Sequence, residues 1–369
     1  MKVPLLDLQA QYAAIKSEVD AAVRDVLDRQ QFVLGDKVEQ LEEQVAGYVG
    51  TEYAVGVASG TDAILLSLRA LGIGAGDEVI TTAFSFFATA GAIVNVGATP
   101  VFVDIDPKTF NIDPSLVERA ITDRTKAVLP AHIYGQCADM EPIVGLAEKH
   151  GLKVVEDLAQ AIGAEYKGRS AGSMGDCGCL SFYPTKNLGA YGDGGMVVTS
   201  DRQVAKALRM LRDHGSRGKY EHELVGTNSR LDELQAAVLL AKLPCLDEWS
   251  DSRRQNAAYY DSKLAGLDGV QTPYIAPENV SVYNCYTIRV RERDKVAEHL
   301  KREGIGCAVH YPRPLPLQEC FNYLGYKAGD LPNSEQASKE VLSIPMYPEL
   351  NRKQMDAVVG TLGDALESL

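Results

Sequence analysis

Lys186 sits where few lysines do. It follows an apolar run, Cys179 to Tyr183, and precedes four glycines within Gly189 to Gly195. Glycine lets backbone or ligand approach closely, so this amine is a candidate catalytic group rather than an ordinary lysine flanking a loop. A second candidate is Lys153-Val-Val-Glu156-Asp157-Leu-Ala-Gln160, which places acid and amide groups just beyond a buried strand. Successive strand residues point to opposite faces, so at most one of Glu156 and Asp157 faces a ligand at the strand's end. The rival reading of Asp157 is a helix N-cap. Third, Ser59-Gly60-Thr61-Asp62 joins a strand end to an amphipathic helix; free amides and the helix dipole there suit a phosphate, although Ser59 and Asp62 also read as a capping-box variant. Fourth, Phe86 lies just past a strand, where an aromatic ring either stacks on a flat ligand or fills the core.

The pattern of elements positions these groups. Short β-type runs at 54–59, 78–84, 100–105, 127–133, 153–157, 179–183 and 195–200 alternate with helix-length segments. Runs this apolar predict an α/β fold whose strands are buried on both faces of a largely parallel sheet. The last pair is separated by too short a stretch for a helical crossover, which predicts one antiparallel strand. Helical periodicity covers residues 12–50, 231–243 and 247–264. Beyond Leu246 the composition shifts to Tyr- and Val-rich strands at 281–290, a helix at 294–303 and a proline-rich loop. The expected division is a large domain over 1–245 and a smaller α+β domain over 246–369. Leu71-Gly-Ile-Gly-Ala-Gly76 follows a helix and precedes a strand, the reverse of a dinucleotide fingerprint, and is rejected as a nicotinamide site.

Composition narrows the function. The 369 residues carry a net charge of −13, which argues against nucleic acid as a main partner but leaves room for a small anion. The N-terminus has no basic segment followed by a long apolar core, and no stretch has the length and apolarity of a membrane span, so the cytoplasm is the expected compartment. Seven cysteines at no framework spacing read as small buried hydrophobes, and Cys177-Gly-Cys179 lacks the partners of a zinc site.

Taken in order, SGTDA (59–63), EDLAQAIGA (156–164), SFYPTKNLGAYGDGG (181–195), NSRLDELQAA (228–237) and VHYPRPLPLQ (309–318) resemble the DegT/DnrJ/StrS sugar-nucleotide aminotransferases, a family of fold-type I pyridoxal-phosphate enzymes. The resemblance spans nearly the whole chain. It implies that Lys186 binds pyridoxal 5'-phosphate covalently and that Asp157 pairs with the ring nitrogen, keeping the ring cationic as an electron sink. It further implies that Gln160 reaches the ring 3-oxygen, that Phe86 stacks on one face, and that Gly60, Thr61 and Ser181 hold the phosphate. Asn228 matches a phosphate ligand given by the other subunit, which implies a homodimer with shared sites. Family members that dehydrate sugars carry histidine where this chain has Lys186, so the lysine implies transamination from glutamate, with ping-pong kinetics.

The subgroup it most resembles aminates C3 of a UDP-linked 2-acetamido-3-keto-hexuronic acid. Glu278 to Arg289 looks like the corresponding strand there, and Arg230, His310 and Tyr311 match positions that contact the uronate or nearby sugar groups; guanidinium and imidazole are suitable carboxylate donors. A dTDP-linked 3-keto-6-deoxyhexose is the main alternative acceptor; a pyridoxal-phosphate lyase acting on an amino acid and a regulator built on the same scaffold are the others. Many relatives carry histidine in the loop after Tyr-Pro, where this chain has Pro316, and Arg313 reads as either an anion contact or a surface charge.

Overall fold

The computed structural model describes residues 1–218 and 220–369. Seven strands form the main sheet: β1 (Tyr53–Val57), β2 (Glu78–Thr82), β3 (Thr99–Val103), β4 (Thr125–Leu129), β5 (Lys153–Asp157), β6 (Cys177–Ser181) and β7 (Gly195–Thr199). Their order across the sheet is β1-β7-β6-β5-β4-β2-β3. The pairs from β3 to β6 are parallel. Strand β7 is antiparallel to both neighbours, as the short link after β6 predicts.

Alternate residues of these strands enter two separate cores. Val55, Val57, Val79, Leu129, Val155, Cys177, Cys179 and Val197 pack with Leu66 and Leu68 on one face. Ile80, Val128, Val154, Leu180, Met196 and Val198 pack with Val38, Leu41, Val45 and Leu239 on the other. Both faces are apolar because helices cover both. The covering elements are α2 (Asp36–Val49), α3 (Gly60–Ala70), α4 (Phe87–Asn95), α5 (Met140–His150), α6 (Arg202–Leu211) and α7 (Glu233–Lys242), with α1 (Lys16–Arg29) packed outside on α7, Val19 against Val238.

A third core lies in the C-terminal part. Helix α8 (Leu246–Leu264), strands β8 (Val270–Gln271), β9 (Tyr286–Val290) and β10 (Val341–Ile344), and helices α9 (Arg293–Arg302) and α10 (Arg352–Glu367) enclose Tyr260, Ile288, Leu300, Leu342 and Val358. Val3 belongs to this core too, tied by its amide to the Gly304 carbonyl at 3.0 Å. The first residues of the chain are therefore shared with the smaller unit.

Two local expectations differ from the structure. The stretch expected as strand over 281–290 is strand only over Tyr286–Val290, because the Tyr283 carbonyl accepts from Arg253 Nη1, its amide donates to Ser281 Oγ, and the Val282 amide donates to the Gly135 carbonyl. All seven cysteines are free, but only Cys137, Cys177 and Cys179 are buried as expected; Cys245, Cys285 and Cys307 are half-buried and Cys320 is exposed. Among the described residues, no helix is long and apolar enough to cross a membrane.

Candidate active site

A cavity of about 570 Å³ opens at the carboxyl ends of the parallel strands. This is where an open α/β sheet offers diverging loops and free backbone groups to a ligand. Residues at or beyond the ends of β1 (Ser59, Gly60, Thr61), β2 (Ser85, Phe86), β4 (His132, Ile133) and β5 (Asp157, Gln160) line it, as do Ser181, Lys186, His310 and Tyr311. Asn228 and Arg230 do not line it. Asn228 is exposed, and Arg230 Nη1 is engaged by Asp213 Oδ1 at 2.6 Å.

At the end of β5 the pleat separates two acids. Glu156 is fully buried behind the strand, where Oε1 accepts from the amides of Met174 (2.8 Å) and Gly175 (2.6 Å) and Oε2 from that of Gly172 (2.8 Å). Burial disfavours its charge, yet the His132 contact at 2.9 Å and these amides outweigh it and hold the carboxyl below the usual range. His132 Nδ1 accepts from the Ala138 amide at 3.1 Å, so Nε2 carries the proton given to Glu156. Asp157 faces the cavity. Its Oδ2 accepts from Thr89 Oγ at 2.7 Å, and Ser85 Oγ lies 2.8 Å from that hydroxyl. Since Thr89 gives its proton to Asp157, Ser85 must be the donor to Thr89.

Lys186 lies in the turn after β6. Its Nζ has no hydrogen bond or ion pair among the described residues, and burial is the main cause lowering its pKa, with nearby Cys285 and Asp157 partly opposing. More of the amine is therefore neutral at a given pH than on an ordinary lysine. His310 is also held below its usual pKa, by burial first and by Lys186 second. Its Nδ1 lies 2.9 Å from Ser343 Oγ, and Ser343 Oγ lies 2.8 Å from Thr287 Oγ1. Tyr311 OH accepts from Gln160 Nε2 at 3.1 Å. Phe86, although a large aromatic, is 56% exposed and rests at 6.1 Å from the Tyr311 ring, so it is a cavity wall and not core.

The turn after β1 is built for close approach. Ser59 caps α3 through the Asp62 amide at 3.1 Å, which is half of the capping-box variant; the Asp62 side chain does not return the bond. Asp62 itself accepts from Ser229 Oγ at 2.7 Å and does not line the cavity, leaving Gly60 and Thr61 there. A Cβ on Gly60 would lie 2.6 Å from the Ser181 Cβ, and one on Gly195 would lie 2.3 Å from the Ser59 carbonyl carbon. Sequence reasoning missed Thr89, Ser85, His132, Asn284, Cys285 and Ser343 in this site. Ser85 and Thr89 stand one and three residues from Phe86, in the same stretch past β2; the others carry no local signal.

The chain matches the model of the DegT/DnrJ/EryC1/StrS aminotransferase family over residues 13–363. It belongs to that family. Among its relatives, an Acidithiobacillus ferrooxidans protein named UDP-N-acetyl-3-dehydro-alpha-D-glucosamine 3-aminotransferase is 48% identical, over 96% of this chain and 95% of that one. The dTDP-3-amino-3,4,6-trideoxy-alpha-D-glucose transaminase of Streptomyces venezuelae is 47% identical over 99% and 97%. The UDP-2-acetamido-2-deoxy-3-oxo-D-glucuronate aminotransferase of Pseudomonas aeruginosa is 44% identical over 98% and 99%. The crystal structure of S. venezuelae DesV in complex with a ketimine intermediate superposes with a TM-score of 0.97 at 47% identity, covering 100% of this chain and 99% of that one.

The cofactor implied for such an aminotransferase is pyridoxal phosphate, and the residues of this cavity fit it. The Ser59–Thr61 turn, with Ser181 pressed against Gly60, would hold a phosphate at a helix N-terminus. Asp157 would accept from the ring nitrogen, Gln160 stands beside Tyr311 as a donor for a ring oxygen, and Phe86 offers a ring face. Lys186 is the amine in reach of the same cavity.

Proposed function

We propose that this family member transfers an amino group from glutamate to C3 of a nucleotide-linked 3-keto sugar, using pyridoxal phosphate. The observation that carries the reading is one cavity holding a lysine of lowered pKa with no partner among the described residues, a strand-end aspartate, and a helix N-terminus that presents Gly60 and Thr61 while the Asp62 carboxylate is taken by Ser229. When bound, the cofactor supplies an electron sink for negative charge developing at the carbon bearing the transferred nitrogen. Asp157 holds the proton at the ring nitrogen. Lys186 Nζ takes the proton from the donor's α-carbon and returns one on the opposite side of the transfer, acting as base and then acid. Phe86 and Tyr311 fix the plane in which that proton moves. The same groups work in reverse order on the keto sugar.

For the acceptor we favour a UDP-linked 2-acetamido-3-keto-glucuronic acid. The support is the Glu278–Arg289 stretch, the His310–Tyr311 pair in the cavity, and the likeness to the Pseudomonas protein. Arg230 would join them as a carboxylate contact if it is offered across a subunit boundary, since within one chain Asp213 holds it. A second reading, a dTDP-linked 3-keto-6-deoxyhexose, is favoured by two observations. Leu5, Leu6, Ile344 and Met346 line the cavity and, among the described residues, no arginine does. The Streptomyces relative is of similar identity. We also propose a homodimer in which Asn228 of one subunit serves the phosphate of the other.

The test is a glutamate-dependent assay, read by mass spectrometry, over UDP- and dTDP-linked 3-keto sugars. Wild type should aminate at least one, and Lys186→Ala none. Faster amination of the uronate than of the 6-deoxyhexose by wild type would support the first acceptor and the reverse the second; loss of a uronate preference in Arg230→Ala would support its carboxylate contact, and an unchanged preference would count against that contact.

A further inference from the structure

Lys242, the last residue of α7, is 1% exposed. It has no carboxylate partner among the described residues: Nζ donates to the Gly189 carbonyl at 2.7 Å and stands 4.3 Å from the centre of the Tyr191 ring. An ammonium buried on one carbonyl and one ring face loses much hydration, and burial pushes its pKa down to about 8. Packing alone does not call for it, because a methionine has nearly the same length and no such cost. Two turns earlier on the same helix, Gln235 Oε1 accepts from the Tyr191 amide at 2.8 Å and Nε2 donates to the Tyr191 carbonyl at 3.4 Å. Gly192 is so near that a Cβ there would lie 3.0 Å from Gln235 Nε2.

The segment held in this way follows Lys186 directly. A Cβ on Gly189 would lie 2.4 Å from the Pro184 carbonyl oxygen, so the chain from Pro184 to Gly189 closes on itself with Lys186 in the middle. The Lys186 amide donates to the Tyr183 carbonyl at 2.9 Å, and the Ala190 amide to the Phe182 carbonyl at 2.8 Å. The turn is thus fixed at its entry by β6 and at its exit by two side chains of α7.

We propose that Lys242 and Gln235 are positioning residues for Lys186: by fastening Gly189 and Tyr191 to α7 they hold the turn so that Lys186 Nζ stands where it can attack a carbonyl compound in the cavity. This rests on the function proposed above. A displacement of about 1 Å at a reacting atom costs up to about a hundredfold in rate, so the clamp has leverage without touching the ligand.

The experiment mixes cofactor-free protein with pyridoxal phosphate and follows the rate at which Lys186 Nζ adds to the aldehyde carbon with loss of one water. The C=N bond is trapped by borohydride and mapped by peptide mass spectrometry, and the melting temperature is recorded for each protein. Wild type should be labelled at Lys186; if it is not, the function proposal falls, separately from the clamp. Lys242→Met and Gln235→Leu should each be labelled at least about tenfold more slowly, far below their melting temperatures, with Lys242→Met melting no lower than wild type because a poorly partnered buried charge has been removed. Labelling at the wild-type rate in either variant, or slowing that only follows a fall in melting temperature, overturns the proposal.

Discussion

Glu156 and Asp157 are adjacent acids with opposite fates, and period-two geometry decides between them. The sequence limits the ligand-facing acid to one of the pair. The choice depends on what lies behind the strand: three amides of the 172–175 turn and His132 give Glu156 a complete set of donors, while Thr89 leaves Asp157 turned toward the cavity. Those partners come from distant parts of the chain and leave no mark near residue 156. The same limit hid Cys285 and Ser343, whereas Phe86 and Lys186 were legible because an aromatic at a strand end and a lysine in a glycine turn are unusual in place. At Asp157 the consequence is measurable. Asp157→Asn removes a negative neighbour that raises the Lys186 pKa, so the pH at which cofactor-free protein gains its reactive neutral amine should fall in the variant. Transamination with glutamate should nevertheless drop on the order of 10²-fold, because a neutral amide no longer stabilises charge at the ring nitrogen. A pH–rate series of labelling beside steady-state turnover checks both signs.

The seven strands were legible because each is apolar on both faces, and the antiparallel β7 because a short glycine-rich link leaves no room for a crossover. Less legible was what happens where strands end. Three chain segments meet at the phosphate cradle: the β1–α3 turn, the end of β6 and the start of β7. Gly195 is the point of closest approach, since a Cβ there would lie 2.3 Å from both the carbonyl carbon and oxygen of Ser59, backbone atoms that cannot rotate away. Gly195→Ala should therefore push the Ser59–Gly60 turn outward. We expect a stability loss of about 1–3 kcal/mol, as for overpacking. The specific effect should be on the phosphate: wild type should bind pyridoxal phosphate more tightly than pyridoxal, and the variant should lose at least tenfold of that preference, about 1.4 kcal/mol. Paired titrations with the two compounds separate this from general damage, which would weaken both alike.

On the scale of the molecule, two residues of the proposed site lie away from the cavity of their own chain. Lys186, Asp157 and the cradle share a cavity, while Asn228 and Arg230 lie outside it, exposed or paired with Asp213. Yet these two flank Ser229, which is buried and ties their segment to the N-terminus of α3 through Asp62, so they are held in place without a ligand of their own in this chain. In the same segment Leu224 is 38% and Val225 84% exposed. If Asn228 reaches the phosphate of a second subunit, two inactive variants can complete each other. Lys186→Ala and Asn228→Asp should each be nearly inactive, the second because a carboxylate faces a phosphate. After unfolding and refolding together in equal amounts, half the dimers are mixed and each carries one intact site, so activity should return to about a quarter of wild type. No recovery, with dimers confirmed by light scattering, would mean that each chain completes its own site. Recovery that vanishes when the two are mixed without exchange would place Asn228 across the interface.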